Sequence, residues 1–123
     1  MNRKINFGEV WLADLNPRAG TEPGKNRPVL IIQNQVLLDA QHPSTLIVPL
    51  TTTLVDNAEP LRIRVTAIDD LEKDSDLLVD KIRAIDNKRL TIGPLTMCSP
   101  SLMRKVHSAI LDVIGVNPNH CEQ

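Results

Sequence analysis

Aromatic residues are almost absent from this 123-residue chain: Phe7 and Trp11 are the whole inventory, with no tyrosine. A site that stacks bases on aromatic rings, in the manner of oligonucleotide-binding barrels and RNP-type sheets, is therefore excluded. Cysteine is scarce as well. Cys98 and Cys121 make no disulfide framework, so a reducing, cytoplasmic setting is the expectation. No apolar run approaches the length of a membrane span, and residues 1–7 lack the apolar centre of a secretory signal. His42, His107 and His120 are scattered, and no pair has ligand spacing with a cysteine or carboxylate. No metal and no cofactor is expected, and His107, beside the apolar face of a predicted helix, reads as packing.

An excess of basic charge is also lacking. The net charge is −1, which argues against nucleic-acid binding by bulk electrostatics. Its distribution is less even. The stretch "DDLEKDSD", residues 69–76, holds five acids and one lysine, and the rest of the chain carries 13 basic against 10 acidic residues. The expectation is an acidic loop set away from a mildly basic face. With 41 % apolar and 24 % charged residues, the chain suits one domain and one core over residues 1–123.

Short strands dominate what is present. Residues 9–15, "EVWLADL", form a first predicted strand after Gly8, and a long Pro- and Gly-containing loop follows over 16–26. Residues 28–33 make the second strand and 35–40 a short helical turn. Residues 45–51, "TLIVPLT", make the third, with Pro49 marking an edge or a bulge. "LRIRV", 61–65, alternates strictly, turning Arg62 and Arg64 outward. Residues 77–86 read as one further strand with a bulge near Asp80 and Lys81, and 89–92 as a short last one. The convincing helix comes last. Ser99 caps it, Pro100 fits its first turn, the apolar residues from Leu102 to Ile114 keep a helical period, and Gly115 ends it. The expected fold is mostly β with a C-terminal α-helix, a small antiparallel barrel-like sheet.

The stretch "EPGKNRPVLII", residues 22–32, sets Arg27 at the doorstep of a buried strand. It is no phosphate loop: "GTEPGKN" is one residue short between its glycines, lacks the Ser or Thr, and leads into a strand. Neither cysteine has an activating neighbourhood, and there is no Gly-x-Ser-x-Gly elbow. Arg27 remains, together with the hydroxyl series Thr51, Thr52 and Thr53 at the end of a neighbouring strand. A planar guanidinium fork and a hydroxyl donor suit a scissile phosphodiester and its developing negative charge. The bland reading stands beside this one: a snorkelling arginine and three ordinary β-forming threonines.

"GEVWLADLNPRAGTEPGKNRPVLIIQN" resembles the opening of MazF/PemK-type toxins of bacterial toxin–antitoxin pairs, while "TLIVPLT" and "LLVDKIRAIDNKRL" resemble the family's second and third blocks. The likeness covers nearly the whole chain. It implies an SH3-like antiparallel β-barrel of MazF/CcdB type with a C-terminal helix, acting as a homodimer. It implies a metal-independent, sequence-specific endoribonuclease on single-stranded RNA, in which the 2′-hydroxyl attacks phosphorus and leaves 2′,3′-cyclic phosphate and 5′-hydroxyl ends. By motif position Arg27, Thr51 and Glu22 are its catalytic residues. Thr21, Lys25, Thr52, Arg62, Arg64, Lys81 and Arg83 are candidates for RNA binding. The implied partner is a cognate antitoxin, whose disordered acidic segment folds along the same groove.

Two departures bear on RNA preference: Pro23 replaces a common Gln, and Lys81 stands where a Gln often precedes Ile-Arg. The gyrase-poisoning CcdB toxins are the alternative from another class, although the tail "VNPNHCEQ" lacks their Trp-Gly-Ile ending. A degenerate homologue that only binds its antitoxin is the third reading.

Overall fold

The computed structural model describes residues 3–16, 20 and 25–116. Its strands are β1 (Glu9–Asp14), β2 (Asn26–Ile31), β3 (Ser44–Thr51), β4 (Arg62–Val65), β5 (Ser75–Leu78), β6 (Arg83–Asp86) and β7 (Leu90–Met97). Two helices accompany them, α1 (Gln35–Asp39) and α2 (Pro100–Val113). The strands form one antiparallel sheet in the order β4-β5-β3-β2-β1-β7, with β6 also on β3.

Burial on both faces explains the unbroken apolar run of β2. Leu30 joins Val10, Val48, Leu50, Ile63 and Leu77 in a cluster that α2 covers with Met103, Val106 and Ala109. Val29 and Ile31 face the other way, toward Trp11, Ala13, Ile47, Ile85 and Leu90. Ile5 and Leu38 close that second cluster from outside the sheet. α2 follows its sequence signals closely. Ser99 accepts the Leu102 N–H at 3.1 Å, and Gly115 at φ +78° ends the helix. The Val116 N–H then bonds Leu111 O and the Gly115 N–H bonds Asp112 O, satisfying the last carbonyls. His107 packs its ring 5.5 Å from that of Phe7.

Three expectations change. First, residues 77–86 are not one strand: β5 and β6 are separated by a 3-10 turn, Val79–Lys81. Both lie along the same edge of β3, β6 on Ser44 to Ile47 and β5 on Leu50 and Thr51. Among the described residues Val48 and Pro49 have no strand partner on that side. The Ile32 N–H donates to Leu46 O, so even-numbered residues of β3 turn their backbone groups toward β2. Pro49 therefore points its missing N–H into the gap left by the turn, which lets proline sit in an interior strand and not at an edge.

Second, the last strand runs through Gly93 and Pro94 to Met97, well past residue 92. Two irregularities in its pairing with β1 absorb the extra residues, and β7 is an end strand, where proline costs no ladder bond. Third, the sheet does not close into a barrel by strand pairing, because β4 and β7 end the path unpaired with each other. The turn between β4 and β5 bridges part of the opening: the Asp70 N–H bonds Leu95 O at 3.0 Å, and the Thr96 hydroxyl bonds Asp69.

Gly93 has a steric role in this arrangement. A Cβ there would lie 2.4 Å from Cδ2 of buried Trp11, whose indole rests on the glycine backbone. Gly93→Ala should lower stability by about 1–3 kcal/mol through overpacking. Urea unfolding followed by the fluorescence of Trp11, the sole tryptophan, measures it; an unchanged midpoint would show that the indole moves aside freely.

Candidate active site

The long loop is pinned at both ends before the chain enters β2. Lys25, at φ +63°, donates its N–H to Asn16 Oδ1 at 2.7 Å, and its carbonyl accepts the Leu15 N–H at 3.0 Å. Arg89 reaches over to donate to the Asp14 and Asn16 carbonyls. The next residues continue a ladder in which Arg27 stands opposite Ala13 of β1. On its other side β2 pairs Val29 with Pro49. Carried two residues beyond the paired stretch, the same antiparallel register runs Arg27 level with Thr51.

The side chains bear this out. Arg27 is half-buried, and its Nη1 donates to Leu50 O at 3.1 Å, at the peptide bond that leads into Thr51. Thr51 is the last residue of β3, and its Oγ1 accepts the Thr53 N–H at 3.2 Å. Because a threonine oxygen can accept and donate at once, its own hydrogen is left to be given to a ligand. The guanidinium fork and the hydroxyl thus share one sheet face at the mouth of β2 and β3.

The ladder continues past Thr51 to a residue that sequence reasoning missed. Thr51 stands opposite Asp76 of β5, and Asp76 opposite Arg64 of β4. The Asp76 side chain is 1 % exposed and fully engaged. It accepts Arg64 Nε at 2.6 Å, the Val55 N–H at 2.9 Å and, more loosely, Arg62 Nη1 at 3.4 Å. Arg64 also pairs with Asp56 at 2.7 Å, and Arg62 donates to Thr53 O at 2.8 Å. Burial alone would raise the Asp76 pKa, but the Arg64 hydrogen bond and then the Val55 N–H outweigh it and hold the carboxyl below the usual range. Its hydrogen bond to Asp76, then that to Asp56, raises the Arg64 pKa.

The expected RNA-contacting residues therefore divide. Arg62 and Arg64 lie on the Arg27–Thr51 face, but their charge is met by Asp76 and Asp56, so the acidic segment is not wholly set apart from the basic face. Lys25 is exposed beside Arg27. Thr52 is exposed and borders a cavity of about 650 Å³ between Leu12, Pro28 and the acidic turn at Asp69 and Asp70. Arg83 shares the face of Arg27 but sits opposite Ile47, about 13 Å along β3 from Thr51. Lys81 is half-buried in the 3-10 turn. Thr21, Glu22 and Pro23 lie outside the described residues, as does Cys121. Among the described residues no group of three His, Cys, Asp or Glu side chains could hold a metal ion, and no helix is long and apolar enough to cross a membrane. Burial raises the Cys98 thiol pKa to about 11, which makes it a poor nucleophile.

Residues 6–114 match a family model described as PemK-like, MazF-like toxin of type II toxin–antitoxin system. The chain is 38 % identical over 115 residues to the Endoribonuclease MazF of Staphylococcus epidermidis, covering 92 % of this chain and 93 % of that one. Its fold is similar to that of crystalline MazF from Deinococcus radiodurans, with TM-score 0.75 and 19 % identity over 93 % of this chain and 99 % of that one. It is similar also to an endoribonuclease from a mycobacterial species solved in complex with its cognate antitoxin. There the TM-score is 0.70 and the identity 23 %, over 89 % of this chain and 94 % of that one.

The depressed pKa of Asp76 makes a signed prediction. A carboxylate held below its unfolded value stabilises the fold fully above that value, about 3.9, and the contribution is lost as pH falls through the folded one. Wild type should melt higher than Asp76→Asn at pH 6, and the gap should shrink progressively below about pH 4. Thermal unfolding from pH 6 to pH 3 checks it; a constant gap would show that the network stabilises by shape and not by charge.

Proposed function

The chain belongs to the PemK-like, MazF-like toxins of type II toxin–antitoxin systems, and from that we propose that it is an endoribonuclease toxin that cleaves single-stranded RNA at Arg27 and Thr51. One observation carries the site assignment: the Arg27 guanidinium reaches the Leu50 carbonyl, beside a threonine whose oxygen is already held by a backbone N–H. An in-line attack by the 2′-hydroxyl forms a new O–P bond and breaks the bond to the 5′-oxygen, leaving a 2′,3′-cyclic phosphate and a 5′-hydroxyl. The hydroxyl proton leaves to a carboxylate, the role we give Glu22 on motif position alone, and the departing oxygen takes a proton from water.

Arg27 acts in this reading as a clamp. A guanidinium stays charged at every attainable pH, so it is a poor general base, but its fork matches two phosphate oxygens. Thr51 donates its hydroxyl to the same group as negative charge builds. No metal takes part. The curled sheet serves as a variant of the SH3-like barrel, a reading supported by the Asp70–Leu95 bridge across its opening.

A second copy of the chain completes the assembly as a C2 homodimer. Support comes from Ile68 and Ile92, exposed at 58 % and 60 %, which self-association can cover. RNA then runs along the dimer past Lys25, Lys81 and Arg83. An antitoxin whose acidic, unfolded segment orders on that groove would occlude Arg27.

Cleavage of a mixed-sequence RNA in excess EDTA tests the chemistry. We expect undiminished activity and cyclic phosphate ends; dependence on added Mg²⁺ with 3′-hydroxyl products would defeat the mechanism. In the same assay Arg27→Lys, which keeps the charge and loses the fork, should cost about a hundredfold in single-turnover rate. A snorkelling arginine predicts almost no change, with thermal melting as the folding control. For the assembly, sedimentation at micromolar concentration should give the mass of two chains, and a monomer would remove the dimer groove.

A further inference from the structure

The Asp76 network ends on the turn that follows Thr51, and nothing in the reaction above uses it. Its three connections converge there. Asp76 takes the Val55 N–H, Arg62 joins Asp76 to Thr53 O, and the Thr53 N–H is the group that holds Thr51 Oγ1. Arg64 braces the carboxylate from behind and ties it to Asp56. No buried side-chain polar atom among the described residues lacks a partner, so the set is satisfied as it stands. A buried carboxylate whose acceptor positions are all filled holds one geometry, and no other acceptor type in the set can serve three donors at once.

Resting on the nuclease reading, we propose that Asp76 is a positioning residue for the Thr51 hydroxyl: through Val55 and the Arg62–Thr53 link it sets the turn that orients Thr51 toward the phosphate. Arg62 and Arg64 serve that carboxylate and are not phosphate contacts. Arg27 stands on β2 and bonds Leu50 O, ahead of that turn, so the turn can shift the hydroxyl without moving the strand that carries the guanidinium. A displacement of the hydroxyl by about 1 Å is enough to cost roughly a hundredfold in rate.

The separation is what the experiment reads. Asp76→Asn puts an amide N–H where Arg64, Arg62 or Val55 must donate, so one donor is left opposed. We expect kcat for a short RNA to fall about a hundredfold with KM within about twofold, the pattern of an interaction made only in the transition state. Hydrogen exchange at the Val55 amide should quicken in the same variant. Arg62→Gln, at a partly exposed side chain, carries the test if Asp76→Asn melts below the assay temperature. It should lower kcat by about tenfold, while KM and its salt dependence stay put. A lost phosphate contact would instead raise KM and reduce the salt slope by about 0.7.

A wild-type protein that leaves RNA intact sinks the nuclease reading, and this role with it. Wild type and Asp76→Asn cleaving equally fast, with Val55 exchange quickened, sinks the positioning role alone. So does a rise in KM at constant kcat for Arg62→Gln.

Discussion

The register between β2 and β3 is the constraint on which the rest depends. Val29, Leu30 and Ile31 are wholly buried, on alternate faces of the sheet. A slip by one residue would swap those faces and carry Arg27 toward the side that α2 covers, taking a charge into an apolar cluster. Held as it is, pairing sets Leu90, Ala13 and Arg27 in line on one side and Thr51, Asp76 and Arg64 in line on the other, and the β2–β3 register brings the two lines level as one row. Core packing thus does the aligning, and the site residues stand at the end of strands that cannot shift.

The guanidiniums beside that row are met locally, in a chain whose net charge is −1. Of the guanidiniums on this face, Arg64 is met by two carboxylates and Arg62 by one. Their positive charge is spent within the fold. Arg27 also bonds the Leu50 carbonyl at the mouth of β2 and β3.

The two breaks in regular pairing follow the same economy. Pro49 would leave a hole in any continuous ladder, and the 3-10 turn Val79–Lys81 withdraws β5 from β6 at that place. On the far side, Gly93 gives Trp11 room to lie against β7. Each irregularity removes a polar or steric conflict that a regular strand would have created. The cluster beneath Arg27 stays packed as a result.

Much was legible in the chain by itself. Strict alternation marked β4, the apolar run marked β2, and Ser99, Pro100 and Gly115 delimited α2, because each signal is local and acts within one element. Arg27 and Thr51 were legible as candidates because their residue types suit a phosphate and their motifs match a family. The tertiary structure alone decided that they stand at the same end of neighbouring strands, with Arg27 bonded to the carbonyl of the residue before Thr51. It also turned Asp76 from one more acid in a solvated run into the buried partner of Arg64, a pairing visible only once β4 and β5 lie side by side. The kink at Val79–Lys81, the length of β7 and the open path from β4 to β7 were likewise beyond local reading. They depend on which strand edge meets which, and no short stretch of residues carries that information.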